Sequence, residues 1–399
     1  MKKICLLLAA ILMLLAACGT NTDQTEATAP ASGGSEPSAP YALKVPPEDR
    51  NQAFAWETFV ETPEAYYYGW DNVIFFCPRN DTTFRPLCGK PNCLHNDENC
   101  NAWFDGFCLG YYDGALYTTA NPIGFNSPML EVIKIELDGT DHREVAQVDI
   151  REAMRLGYSC TFHHGKLFIE ASTMVETDED DHLIVLDLSD YSVTEPAADY
   201  LRTARLPWPD SYYKDKLYGY GSGSREPLNL RNECLIELDT VTGEGRKLTD
   251  LPGSVYATDH TLYFFAIDLD RDGKPIGEIE PGFRELDLES GEIRFVGNPV
   301  EDIVCAYYDE DYIYAYGYAD IERRDSDRSL YILSRNYELV DQFELKQGQF
   351  VFAVTSDRIF LSDTRPDTRI SWYLDKSQIG SHALTPSPVE TVSGGRKLG

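Results

Sequence analysis

Apolar and polar residues alternate along most of this chain in short runs, and turn residues separate the runs. The clearest example extends from Phe107 to Val145. Its pattern predicts strand, tight turn, strand, loop, strand, turn, strand, because period-two alternation puts one face of a strand inward and the other outward. The second strand of each such unit carries a short apolar anchor. The anchors are Val73–Phe76, Leu116-Tyr117, Leu167-Phe168, Leu217-Tyr218, Leu262–Phe265, Ile313-Tyr314 and Ile359-Phe360, recurring every 43–51 residues. Turn pairs precede most of them, as at Asp113-Gly114, His164-Gly165 and Asp259-His260. Gly, Asp and Asn in such pairs supply the positive φ of a two-residue hairpin. A third strand follows each anchor, among them Ile133–Leu137, Leu183–Leu188, Leu235–Leu238 and Leu330–Leu333. A weaker fourth strand comes next, as at Arg246–Leu248 and Ile293–Val296.

A repeat of this length with four strands per unit is the pattern of a β-propeller. The expected fold is therefore all-β, with seven blades between about residues 62 and 390. The first unit is aberrant, which leaves six or eight blades open, and residues 51–62 are candidates for a strand that closes the ring with the last blade. The phrase IKIELDGT at Ile133–Thr140 resembles the strand and turn of TolB-type and low-density-lipoprotein-receptor-type propellers. Bacterial surface lipoproteins with tandem repeats of this kind, often with a Cys-rich insert early in the propeller, are similar across most of the chain. The YWTD tetrapeptide is absent, and its place reads Leu116-Tyr-Thr-Thr119. The resemblance implies a non-catalytic binding or scaffolding role.

The N-terminus departs from the repeat. Lys2 and Lys3 precede the apolar run Ile4–Leu15, which ends in Leu15-Ala16-Ala17-Cys18. The basic start and the short apolar run predict a secretion signal over residues 1–17. The ending resembles the lipobox of bacterial lipoproteins. That implies cleavage before Cys18, lipidation of its sulfur and anchoring to a membrane through acyl chains. Residues 19–40 hold no aromatic residue and are rich in Ala, Thr, Ser, Pro and Gly. Such a stretch buries too little apolar surface to offset its ordering entropy, so residues 18–40 are expected to be a disordered tether. Residues 41–390 are the propeller and 391–399 a tail. The expected location is extracytoplasmic, at a bacterial cell envelope or surface.

The formal charge of −31 excludes the basic surface that nucleic acid requires. No phosphate-binding glycine loop, nucleophile elbow or His-Glu-x-x-His motif occurs. The abundance of acids prevents the choice of any one glycosidase pair. The partner is expected to be a protein, peptide or carbohydrate held by interblade loops. The alternatives are an enzyme acting on glycans in the central channel and an envelope assembly factor.

Three places carry candidate chemistry. Cys88, Cys93, His95 and Cys100 follow C-x4-C-x-H-x4-C. Three thiolates and one imidazole complete a closed tetrahedral zinc site. An exported location favours at least one disulfide instead, for which nearby Cys77 and Cys108 offer further pairings, and free thiols are the third alternative. The segment 88–100 is read as displacing the third strand of the first unit. Cys108, Cys160 and Cys305 fall at equivalent places on first strands and read as small buried apolar residues, as do Cys77 and Cys234. Asp268, Asp270 and Asp272 precede Gly273 in the order that opens a calcium loop, although Ile279 stands where a bidentate Glu belongs. Glu176–Asp181 is a run of acids assigned to an interstrand loop.

Overall fold

The computed structural model describes residues 43–46, 49, 58–120, 128–150, 158–175, 178–202, 204, 208–222, 233–251, 253–267, 279–300, 303–318, 328–363 and 370–392. All belong to one compact unit, residues 41–399. Seven sheets make seven blades in a ring, as the repeat predicts. Blade 1 comprises β1 (Phe59–Glu61), β2 (Ala65–Trp70), β3 (Val73–Pro78) and β4 (Thr83–Pro86). Blade 2 comprises β5 (Gly106–Tyr112), β6 (Ala115–Ala120), β7 (Met129–Glu136) and β8 (His142–Asp149). Blades 3 to 7 span residues 158–194, 208–249, 255–297, 303–345 and 349–388. Each is an antiparallel meander, and among the described residues the one α-helix is Ala198–Leu201.

The expected third strands all pair where the alternation puts them, with Leu183–Leu188, Leu235–Leu238 and Leu330–Leu333 each joined to the anchor of its own blade. Their turns behave as the residue types require. Asp113 and Gly114 have φ of 46° and 78°, and Asp71 and Asn72 have 48° and 60°. These values build the mirror-image turns whose twist suits a hairpin.

Blade 1 corrects the sequence reading in three ways. Its anchor Val73–Phe76 lies on the third strand, because the short β1 pairs with β2 at Phe59–Tyr68 and takes the inner position. The ring is closed from the other end of the chain. A C-terminal strand, Glu390–Thr391, pairs parallel with Thr83 and Phe84 of β4. The strand near residue 60 belongs to its own blade and does not complete the last one. Finally, the Cys-rich segment displaces no third strand. It follows β4 and leads into blade 2.

The acid run at Glu176–Asp181 also differs. Residues 178–181 are not loop: they extend a long strand, Asp178–Asp187, in register with Ser172–Val175.

Each blade face is apolar and packs on its neighbour, and specific side chains then lock most junctions. Between blades 7 and 1, Arg79 donates to Glu61 at 2.7 Å and to Asp357 at 2.9 Å. Tyr66 Oη donates to Asp357 at 2.7 Å, and the Ser356 N–H donates to Glu61 at 2.9 Å. Between blades 6 and 7, Lys376 Nζ donates to buried Asp309 at 2.7 Å and to the Thr355 carbonyl at 3.0 Å. Between blades 4 and 5, Arg246 binds Glu237 through two nitrogens and reaches the Leu288 carbonyl at 3.2 Å. Glu285, Arg294 and Tyr337 repeat that theme between blades 5 and 6. Tyr212 of blade 4 donates to buried Glu170 of blade 3. Blades 2 and 3 interlock by shape: a Cβ on Gly110 would sit 2.2 Å from the Phe162 ring. The junction of blades 1 and 2 is the one that bears the Cys-rich segment.

Candidate metal centre

The segment is an excursion whose two ends are fastened to one strand. The Leu87 N–H donates to the Ile74 carbonyl at 2.8 Å, and the Ile74 N–H donates to the Ala102 carbonyl at 2.8 Å. The Phe104 N–H then donates to Asn72 at 2.9 Å, and Val73 bridges Trp103. Residues 88–101 are thus held at a base on β3. Phe104 lies over Gly69, where a Cβ would meet its ring at 2.4 Å. On the far side the segment rests on the β7–β8 turn of blade 2. The Gly139 position lies against the Leu87 carbonyl, and His142 hydrogen-bonds to the Asn101 backbone.

Within this frame the chain winds tightly. The Cys93 N–H reaches back to Lys90 at 3.4 Å, and the Cys100 N–H to Asp97 at 3.0 Å. Asn92 and His95 adopt φ of 59° and 53°. The outcome is convergence: one ligand atom from each of Cys88, Cys93, His95 and Cys100 lies within 4.8 Å of every other. His95 Nδ1 is 3.1 Å from Cys100 Sγ. Four donors around a zinc ion bound at about 2.3 Å stand about 3.8 Å apart, so the set needs only small adjustments to close on one ion. The cluster can hold a metal. Among the described residues all cysteines are free thiols, and these four groups form the cluster with metal-binding spacing.

The surroundings suit a thiolate site. Burial pushes the Cys88 thiol up, but the N–H groups of Lys90 and Asn101 and the thiols of Cys100 and Cys93 outweigh it, and its pKa falls below the usual cysteine value. Burial dominates at Cys100, whose thiol is pushed up to about 12, although the Ala102 N–H donates to its sulfur at 3.2 Å. Burial also lowers His95, which favours the neutral imidazole that a metal needs. Cys100 and His95 are buried, whereas Cys88 and Cys93 are half-buried.

The other candidates divide. Cys108, Cys160 and Cys234 are buried and Cys305 half-buried, each on the strand expected. Cys18 and the Asp268, Asp270 and Asp272 loop lie outside the described residues. Sequence reasoning missed the sulfur-binding N–H groups of Lys90, Asn101 and Ala102, since any residue type supplies them. It also missed Arg79 and Asp357, which no local spacing connects.

No protein-family profile matches the chain, and no curated protein matches it in sequence. Solved structures do match in shape. A prolyl endopeptidase superposes with a TM-score of 0.51 at 12% identity, over 86% of this chain and 50% of that protein. The chain therefore spans about half the length of that enzyme. The propeller domain of the Trilobed protease from Pyrococcus furiosus gives 0.46 at 11% identity, over 82% of this chain and 93% of that one. TolB from Acinetobacter baumannii gives 0.35 at 13% identity, over 69% and 64%. At these identities the likeness concerns the propeller fold alone.

Proposed function

We propose that this chain is a lipid-anchored, extracytoplasmic propeller that binds a protein, peptide or carbohydrate through its interblade loops. In this reading Cys88, Cys93, His95 and Cys100 hold a structural zinc ion that staples the first two blades. The observation that carries the reading is where the most chemically competent cluster stands. Its loop stands between two blades, fastened at its base to β3 and resting on the β7–β8 turn. A closed four-ligand set leaves no position for water or substrate, which is the mark of a structural site. The ion would fix the loop and contribute its binding energy to folding. The ionic groups described at the other junctions are likewise spent on one another, as with Arg79, Glu61 and Asp357. The signal-like N-terminus and Cys18 supply the anchor, and two or more acyl chains are needed for stable membrane residence.

Two measurements test it. Elemental analysis of the purified chain should find one zinc per protein, lost in His95→Ala and Cys88→Ser, with chelator lowering the melting temperature of the parent alone. Glycan and peptide arrays should show saturable binding that leaves the ligand chemically unchanged. Conversion of a bound glycan would overturn the binding role in favour of catalysis, and equal fatty-acid labelling of the parent and Cys18→Ala would remove the anchor.

A further inference from the structure

Zinc and a disulfide are competing readings of the Cys-rich segment when only its spacing is known. The geometry points to their being two states of one site. We propose that Cys88 and Cys93 form an oxidation site, at which a hydroperoxide joins the two sulfurs in a disulfide and releases the metal. The proposal rests on the zinc reading above.

Three observations carry it. The first is access. Cys88 and Cys93 are half-buried, while Cys100 and His95 are enclosed, so an oxidant from solvent meets the first pair. The second is proximity. The two sulfurs lie within 4.8 Å of each other, so a disulfide between them needs a local movement only. The third is the fold of the chain between them. The turn that carries the Cys93 N–H back to Lys90 folds the short chain between the two cysteines back on itself. Cys100 is enclosed, and its sulfur is held by the Ala102 N–H and by His95.

Metal-bound thiols are already deprotonated, so both sulfurs are nucleophiles in the loaded state. The Cys88 thiolate attacks the peroxide O–O bond, takes one oxygen as a sulfenic acid and releases hydroxide. The Cys93 thiolate then attacks the Cys88 sulfur, forming the S–S bond and expelling a second hydroxide. Two thiolates and one hydrogen peroxide thus give one disulfide and two hydroxides. Cys100 and His95 remain, too few to retain the ion. The base of the loop on β3 persists, so the change is confined to the face on blade 2.

The test uses the purified zinc-loaded chain and one equivalent of hydrogen peroxide. Zinc release is read with a colorimetric indicator, thiols are counted after denaturation, and cross-linked peptides are mapped by mass spectrometry. The expected result is one zinc released for two thiols lost, with a Cys88–Cys93 cross-link, and recovery of both on adding reductant and zinc. Cys108→Ser and Cys160→Ser should leave this unchanged. Zinc retained under excess peroxide, or lost with a cross-link elsewhere or with sulfinic acid at Cys88, overturns the oxidation site and leaves the zinc reading standing. A chain that takes up no zinc overturns both.

Discussion

Asp309 shows how one side chain is made to carry charge inside the ring. It is fully buried, and its two oxygens accept from Lys376 Nζ, Tyr314 Oη and the N–H groups of Asp311 and Tyr312. Burial alone would raise its pKa. The Lys376 ammonium and these hydrogen bonds outweigh it, and the pKa falls below the ordinary aspartate value. The carboxylate therefore stabilises the fold above the unfolded-state pKa, near 4, and the contribution is lost as pH falls through the lower folded value. Asp309→Asn should cost roughly 3 kcal/mol at neutral pH, since it leaves Lys376 buried without its counter-ion. The gap between variant and parent, measured by denaturant unfolding, should shrink below about pH 4. A gap independent of pH would show that the carboxylate contributes no charge to the junction.

At the scale of elements, the turn between β7 and β8 is where the Cys-rich loop meets blade 2. Gly139 has φ of +75°, and a Cβ there would stand 2.4 Å from the Leu87 carbonyl. Gly139→Ala forces either the turn or the loop base to move, because the backbone carbonyl cannot swing aside as a side chain could. We expect a loss of roughly 1–3 kcal/mol and, more tellingly, weaker zinc retention against a chelator. Unchanged retention would separate the turn from the metal site. This contact explains what was legible and what was not. Period-two alternation sets strands such as Leu183–Leu188 in their places, because a strand half-buried in a blade must alternate. The spacing of Cys88, Cys93, His95 and Cys100 marks a ligand set by residue type alone. Blade 1 departs from the expectation for a physical reason. Its inner strand β1 is only Phe-Val-Glu, too short to show a period, so the stronger Val73–Phe76 run reads as a second strand. Counted from that strand, the Cys-rich segment reads as standing in place of the third.

For the whole molecule, the junction of blades 7 and 1 decides whether the ring exists. The Arg79 guanidinium is buried, pairs with Glu61 and Asp357, and lies 5.0 Å from the Tyr66 ring centre. Its own carbonyl accepts from Arg358, and the Asp81 carbonyl does so at 2.9 Å. Arg79→Met keeps the bulk but leaves Glu61 and Asp357 facing each other, and should cost roughly 3–5 kcal/mol. Limited proteolysis of the variant should open the chain at blade 1 before any other blade. Cleavage spread evenly around the ring would show that closure is not the weak point.

The parallel pairing of Glu390 and Thr391 with β4 sets a timetable. The Glu390 N–H reaches Thr82 and the Val392 N–H reaches Phe84, joining the end of the described chain to its first blade. If the chain crosses a membrane from its N-terminus, the first blade emerges first and its last partner arrives last. Until then β4 presents an unpaired edge, the kind of surface on which β-proteins aggregate. Closure of so distant a contact is intrinsically slow. A loop cross-linked close to β4, already complete when blade 2 arrives, would hold the first blade in shape through that wait.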